Sequence, residues 1–124
     1  MKRILITGCF GFIGFSLIFR IAKIKKYKIF GIDNINDYYD VKLKKNRAKI
    51  LKKFKNFYFH KIDINNMKLL KKNFQKNKYD IVINLAAQAG VRYSLSNPSA
   101  YFESNIKGYF NILELSRIYK IKHL

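Results

Sequence analysis

Three evenly spaced glycines are the first residues in this chain whose pattern implies chemistry. Gly8, Gly11 and Gly14 follow a short apolar run and precede a segment with helical apolar spacing. In such a strand-to-helix turn, one glycine allows the tight turn, one lets backbone approach a phosphate, and one brings helix and strand together. The N–H groups at the helix start, at Phe12 and Ile13, lack helical partners and favour an anion. The sequence therefore predicts a pyrophosphate site built from backbone.

A carboxylate stands where a second part of the same ligand would lie. Asp33 ends the next apolar run, 19 residues after Gly14 (33 minus 14), which is the spacing at which an acid hydrogen-bonds a ribose 2′-hydroxyl. Its negative charge would repel a 2′-phosphate. Alone, Asp33 could equally be a turn residue before Asn34, but together with the glycines it predicts a dinucleotide site that prefers NAD to NADP.

Strand-like and helix-like segments alternate along the chain, which predicts βαβ units and a parallel sheet. The expected fold is α/β, a Rossmann-type doubly wound parallel sheet of about four strands. Expected strands are residues 3–7, 27–33, 57–62 and 80–84, and expected helices include residues 12–25 and 98–119. In the last helix we expect five bulky residues to face inward: Phe102, Ile106, Tyr109, Phe110 and Leu113. Residues 122–124 resemble the first step of a fifth strand.

The segment after the fourth strand is a second candidate part of the site, because ligands of doubly wound sheets lie where the strand order reverses. It begins with the small or uncharged residues Leu85, Ala86, Ala87 and Gln88. Small residues let a flat ring or a ribose lie against the backbone. Arg92 offers a guanidinium for phosphate or carboxylate, and with Ser94 it is our candidate for substrate binding, although a surface arginine is the alternative.

The net charge of +19 raises the possibility of a nucleic-acid partner. Lysine supplies 21 of the 26 cations, and isoleucine, asparagine, phenylalanine and tyrosine are also abundant, as in an AT-rich coding sequence. The lysines alternate with expected core positions instead of forming a basic arm. We therefore expect no specific nucleic-acid partner, with a non-catalytic cationic binding module as an alternative.

The uncharged run of residues 4–19 has the composition of a membrane anchor or signal peptide. As a helix, these 16 residues would span roughly 24 Å, less than the ~30 Å hydrocarbon core. A strand and a helix explain its glycines better. The single cysteine, Cys9, suits a reducing compartment, and its spacing from His60 and His123 suggests no metal site. We expect a cytoplasmic protein without membrane association or metal.

These motifs, in this order, resemble the extended short-chain dehydrogenases/reductases of the NAD-dependent epimerase/dehydratase family, over the whole chain. The shared segments are residues 7–14, 31–34, 63–64 and 85–87, while residues 36–40 and 86–94 resemble the UDP-glucuronate 4-epimerase branch. The resemblance implies NAD as cofactor, with contacts at the adenine ribose from Asp33 and Asn34, at the adenine from Asp63 and Ile64, and on the nicotinamide side from residues 85–88. It also implies a position near the cofactor for Asn105.

The family's proton-transfer groups are a Ser or Thr after the fifth strand and a Tyr-x-x-x-Lys on the next helix, and no such pair lies in the right element here. We therefore expect no catalytic residue: residues 1–124 would be the N-terminal, NAD-binding part of an epimerase that interconverts UDP-glucuronate and UDP-galacturonate through transient C4 oxidation. A related nucleotide-sugar dehydratase or decarboxylase is the alternative parent. The resemblance implies a homodimer whose interface is built by the last helix together with a further helix that is missing here, so we expect impaired dimerisation and poor stability of this chain alone.

Overall fold

The computed structural model describes residues 1–38 and 40–124; Tyr39, within one of the family-like segments, lies outside the described residues. The strands are β1 (Lys2–Thr7), β2 (Tyr27–Asp33), β3 (Phe57–Lys61) and β4 (Ile81–Asn84). The helices are α1 (Phe12–Ile21), α2 (Val41–Leu51), α3 (Met67–Asn77), α4 (Val91–Ser96), α5 (Pro98–Tyr101) and α6 (Tyr109–Ile118), with a π-helical segment (Phe102–Gly108) between the last two. The predicted alternation of strands and helices is confirmed.

All strand pairs are parallel, in the order β3-β2-β1-β4. The order reverses at β1, because the chain adds β2 and β3 on one side of it and β4 on the other. The central strand is buried from Ile4 to Thr7, as its continuous apolar sequence requires when helices cover both faces of a sheet. This is the doubly wound topology that the sequence predicted, and it places the loops after β1 and β4 side by side.

Successive residues of β1 pack into two separate cores, one on each face of the sheet. Ile4 and Ile6 of β1 join the core that also contains Ile18 of α1 and Leu51 of α2. Leu5 points to the opposite face, where α3 and α6 pack. The period of two along a strand therefore explains how one short apolar run supplies both cores.

The fifth strand begins as expected. The backbone N–H of Val82 donates to the carbonyl of His123 at 2.9 Å, and the N–H of Lys122 donates to the carbonyl of Asp80 at 3.1 Å. The bridge between Ile81 and His123 is parallel, like the rest of the sheet. The start of β4 is therefore paired on its outer side within the described chain.

Three expectations about the helices differ from the structure. Helix α1 ends at Ile21 and not at Lys25, because the chain must turn back toward β2, and Ile24 is left 44% exposed. The expected single helix over residues 98–119 is divided by the π-helical segment, and the expected loop after β4 contains α4. The search for apolar residues at a spacing of 3.6 cannot predict a π-helical segment, because the extra residue in its turn shifts the apolar positions that follow.

The prediction for the inward face of the last helix was wrong. The five bulky residues assigned to it, Phe102, Ile106, Tyr109, Phe110 and Leu113, are between 43% and 59% exposed. The sheet contacts the opposite face, which carries smaller groups such as Gly108 and Ser116 beside Ile112 and Leu115. A Cβ atom on Gly108 would lie 2.5 Å from Ile64, so close packing selects small residues there. Among the described residues, no helix is both long and apolar enough to cross a membrane.

Candidate functional site

A cleft lies at the carboxyl ends of the strands, where the strand order reverses at β1. Ten residues that the sequence assigned to cofactor binding line it: Gly8, Gly11, Asp33, Asn34, Asp63, Ile64, Leu85, Ala86, Ala87 and Gln88. Four segments, each at the end of a different strand, supply them. The topology therefore brings together residues that are up to 80 positions apart in the sequence (88 minus 8).

The glycine turn fits against the loop after β4 with no space for side chains. Gly8 has a φ of +63°, and a Cβ atom there would lie 2.9 Å from the carbonyl carbon and oxygen of Leu85. A Cβ atom on Gly14 would lie 2.3 Å from the carbonyl oxygen of Gly8. Gly8 therefore forms the turn and Gly14 brings α1 close to it. Gly11 lines the cleft, where a bound phosphate would approach its backbone.

Asp33 is buried at the end of β2, where three groups donate hydrogen bonds to its carboxylate. The backbone N–H of Phe10 donates to Oδ2 at 3.1 Å, and that of Ile35 donates to Oδ1 at 2.8 Å. Lys44 Nζ lies 3.2 Å from Oδ1 and completes an ion pair. The glycine turn therefore holds Oδ2 of Asp33, while its own loop and α2 hold Oδ1. Together these contacts fix the orientation of the carboxylate.

Helix α2 contributes two cations that the sequence analysis did not identify. Lys44 is buried, lines the cleft and also donates to Oδ1 of Asn36 at 3.2 Å. Arg47, three residues later on the same face, donates to the carbonyl of Phe10 at 2.9 Å. Both side chains thus contact the dinucleotide-site residues and do not extend into solvent. Lys44 does not differ in type from the lysines around it, so the sequence carried no signal that would have separated it. Arg47 is the one arginine between Arg20 and Arg92, and it shares a helical face with Leu51, which was the available signal.

A buried hydroxyl joins the glycine turn to the loop after β4. Thr7 Oγ1 donates to Oδ1 of Asn84 at 2.6 Å and accepts from the backbone N–H groups of Leu85 and Ala86, both at 3.0 Å. Thr7 is fully buried. The side chain therefore fixes the first residues of the loop that lines the cleft.

Asparagines fix the other cleft loops. Asn105, in the π-helical segment, accepts from the N–H of Gln88 at 2.8 Å and donates to its carbonyl at 3.0 Å. Asn34 donates to Oδ2 of Asp63 at 3.1 Å, which ties the loops after β2 and β3 together. Asn105 is not among the residues that line the cleft, whereas its neighbour Ser104 is. The geometry gives Asn105 a contact with the cleft loop; its own contact with a cofactor stays a prediction.

Other predicted site residues lie outside the cleft lining. Phe12 and Ile13, at the start of α1, have side chains 77% and 63% exposed. Arg92 and Ser94 lie on α4, with Arg92 exposed and Ser94 Oγ donating to the carbonyl of Val91 at 2.5 Å. Substrate binding by Arg92 and Ser94 stays a prediction. The cleft also contains Tyr38, which the sequence analysis did not single out as a site residue.

The single thiol is not placed for nucleophilic chemistry. Cys9 is fully buried beneath the glycine turn, and burial, together with the nearby Asp33 carboxylate, raises the pKa of its thiol well above the ordinary value. The thiolate is the reactive form, so this environment disfavours reactivity.

Burial and Lys76 lower the pKa of His60, which stacks on Phe30. In the part of the chain that the structure describes, no three His, Cys, Asp or Glu residues are grouped as a metal site would require.

Comparisons with known proteins agree with this geometry. The family model described as GDP-mannose 4,6 dehydratase matches residues 5–124. Protein CapI of Staphylococcus aureus is 50% identical over 122 residues, which are 98% of this chain and 36% of that protein. The UDP-glucuronate 4-epimerase of Thermodesulfobacterium geofontis is 48% identical over 124 residues, 100% of this chain and 38% of that enzyme. The chain therefore spans little more than a third of the length of these relatives.

Solved structures share the fold. The UDP-glucuronic acid 4-epimerase from Bacillus cereus, in complex with UDP-glucuronic acid and NAD, superimposes with a TM-score of 0.84 and 34% sequence identity. The superposition covers 93% of this chain and 36% of that structure. A match over nearly the whole sequence, together with this shared fold, shows that the chain belongs to the GDP-mannose 4,6-dehydratase family of NAD-dependent epimerases and dehydratases.

Proposed function

We propose that this chain binds NAD in the cleft at the carboxyl edge of the sheet. One observation carries the proposal: the glycine turn, Asp33 and the loop of residues 85–88 line the same cleft. Backbone N–H groups at the start of α1 suit a pyrophosphate, and an acid at the end of β2 suits a ribose diol. The cleft residues fit this cofactor, which, when bound, accepts and returns a hydride.

We further propose that the whole protein is a nucleotide-sugar epimerase acting on UDP-glucuronate, and that this chain supplies its NAD-binding part. The 48% identity to the UDP-glucuronate 4-epimerase of Thermodesulfobacterium geofontis supports this choice over a related dehydratase. Within the chain, the cleft residues bind and orient the cofactor, while the buried Thr7 and Asn84 keep the two central loops together. A cytoplasmic location belongs to the same proposal, since the single cysteine is a buried free thiol.

Replacing Asp33 by alanine tests the assignment of the ribose-binding group. We expect the dissociation constant for NAD to rise about tenfold or more, because the carboxylate's hydrogen bonds to the ribose are lost and one such bond to a charged group contributes about 1.5–3 kcal/mol. Isothermal titration calorimetry of this chain measures the change. Asp37→Ala is the matched control, since it removes the same charge from an exposed site in the neighbouring loop. Equal losses in the two variants would contradict the assignment.

A homodimer also belongs to the proposal for the whole protein. The exposed face formed by Phe102, Ile106, Phe110 and Leu113 (the apolar helix face) is contiguous along the π-helical segment and α6, and such a face favours association. We expect this chain to self-associate through that face more weakly than the whole protein, and Phe110→Glu to weaken the association about a further tenfold, because a charge would be buried there. Sedimentation velocity measures it. Leu69→Glu is the control, since it places the same charge at an exposed leucine of α3, and an equal effect there would contradict the assigned face.

A further inference from the structure

The cleft contains a buried ion pair that changes the electrostatic character of its ribose end. The side chains of Lys44 and Asp33 are 7% and 4% exposed, and their charged atoms are 3.2 Å apart. Within residues 1–38 and 40–124, the two other ion pairs, Lys107–Glu103 and Arg117–Glu114, are on the surface. A buried lysine is costly unless it is paired, so this cation is held in place by its partners in the cleft.

The ion pair with Lys44 weakens the repulsion expected between the Asp33 carboxylate and a 2′-phosphate. A lone carboxylate at this position would repel the 2′-phosphate of NADP, which is the reason for expecting a preference for NAD. Here an ammonium lies beside the carboxylate and lines the same cleft, so its positive charge offsets part of the repulsion that the carboxylate would exert on a 2′-phosphate. The remaining preference for NAD depends on the hydrogen bonds that the carboxylate offers to a diol.

Lys44 also contributes to the orientation of the carboxylate, together with the N–H groups of Phe10 and Ile35. It contacts Oδ1, whereas Oδ2 accepts from the N–H of Phe10 inside the glycine turn. Arg47 of the same helix contacts the carbonyl of Phe10. Helix α2 is therefore connected to the glycine turn both directly and through Asp33, and removal of Lys44 would leave Oδ1 with the N–H of Ile35 as its remaining donor.

We propose that Lys44 is a positioning and specificity-determining residue of the dinucleotide site: it orients Asp33 toward the adenine ribose, and its charge limits the discrimination between NAD and NADP. The inference rests on the proposed function, since it concerns the same cleft. Two effects of opposite direction are therefore expected, one on the affinity for NAD and one on the preference for NAD over NADP. Loss of Lys44 weakens the binding of NAD, yet it increases the preference for NAD over NADP.

The experiment compares Lys44→Met with Lys45→Met in this chain, by calorimetric titration with NAD and, separately, with NADP. Both variants lose one positive charge from α2, but Lys45 is exposed. For Lys44→Met we expect NAD affinity to fall several-fold and NADP affinity to fall about tenfold further, because a 2′-phosphate then meets an uncompensated carboxylate. For Lys45→Met we expect both affinities to stay within about twofold of wild type, since a distant exposed charge is screened.

Lys44→Met leaves a buried carboxylate without its ion-pair partner, which could prevent folding. A second pair of variants keeps the test decisive in that case. In Asp33→Asn the Lys44 cation is unopposed, so we expect NADP to bind more tightly than NAD. In Asp33→Asn with Lys44→Met, we expect that preference to disappear. A merely structural role for Lys44 would lower both affinities equally and leave their ratio unchanged.

The outcomes separate the two proposals. An unchanged NAD-to-NADP ratio in Lys44→Met, or in the second pair, overturns the role of Lys44 while leaving NAD binding intact. Absence of binding by wild type and Lys45→Met alike overturns the proposed function and this inference with it. The inference is supported if the affinity for NAD divided by the affinity for NADP rises in Lys44→Met but not in Lys45→Met.

Discussion

Replacing Gly14 by alanine should unfold the glycine turn and abolish dinucleotide binding. The added Cβ atom would lie 2.3 Å from the carbonyl oxygen of Gly8 and 3.0 Å from the Cα atom of Cys9. Both are backbone atoms, which cannot rotate away as a side chain can, so α1 must move off β1. We expect a loss of about 3 kcal/mol or more in the free energy of unfolding, at the upper end for an overpacked core. Urea denaturation followed by circular dichroism measures it.

Gly11→Ala is the matched control in the same turn. Its Cβ atom would lie 3.2 Å from the Gly8 carbonyl oxygen, and its φ of −68° suits any L-residue. We therefore expect about 1 kcal/mol or less of destabilisation. Because Gly11 lines the cleft, the new methyl group should still weaken NAD binding. Equal stability of Gly14→Ala and wild type would show that α1 does not depend on this close approach.

Replacing Thr7 by valine should have the second-largest effect, because the two side chains have nearly the same shape but valine has no hydroxyl. The N–H groups of Leu85 and Ala86 would lose their acceptor, and Asn84 would lose a donor. An unsatisfied buried group costs about 1–3 kcal/mol, so a loss of about 2–4 kcal/mol is expected for the cluster. The loop of residues 85–88 should also become mobile, which weakens NAD binding. Hydrogen exchange of the Leu85 and Ala86 amides reports the loss directly.

Thr7→Ser separates the hydroxyl from the methyl group. Serine keeps all three hydrogen bonds and loses only one buried methyl, so we expect about 1 kcal/mol of destabilisation and nearly unchanged amide protection. Slow exchange of both amides in Thr7→Val would contradict the role of the hydroxyl. Fast exchange in Thr7→Ser would contradict it as well, because the acceptor would still be present.

The sequence predicted the cleft more completely than the helices around it. The predicted site residues Gly8, Asp33 and Leu85 each lie at or just after the end of a strand, and in a parallel sheet all strand ends of one kind meet at one edge. Their meeting place therefore follows from topology alone. Helix ends and faces depend on what packs against them. The apolar helix face shows this, because its bulky side chains are exposed, whereas the side that packs against the sheet includes small residues.

Lys44 could not be predicted for a different reason. Lys42, Lys44 and Lys45 are identical in type and lie within one turn of α2, yet only Lys44 is buried. The angle at which α2 crosses the end of β2 decides which of them reaches Asp33. That angle is a tertiary property, set by packing of residues such as Leu51 into the core, and no local pattern encodes it.

Titration of the wild-type chain with NAD and with NADP tests the central claim most directly. The glycine turn, Asp33 and the loop of residues 85–88 form one cleft, so we predict one NAD bound per chain, more tightly than NADP. Lys44 keeps the difference between the two cofactors smaller than a lone carboxylate would produce. Absence of NAD binding by the folded chain, or equal affinity for the two dinucleotides, would contradict the account.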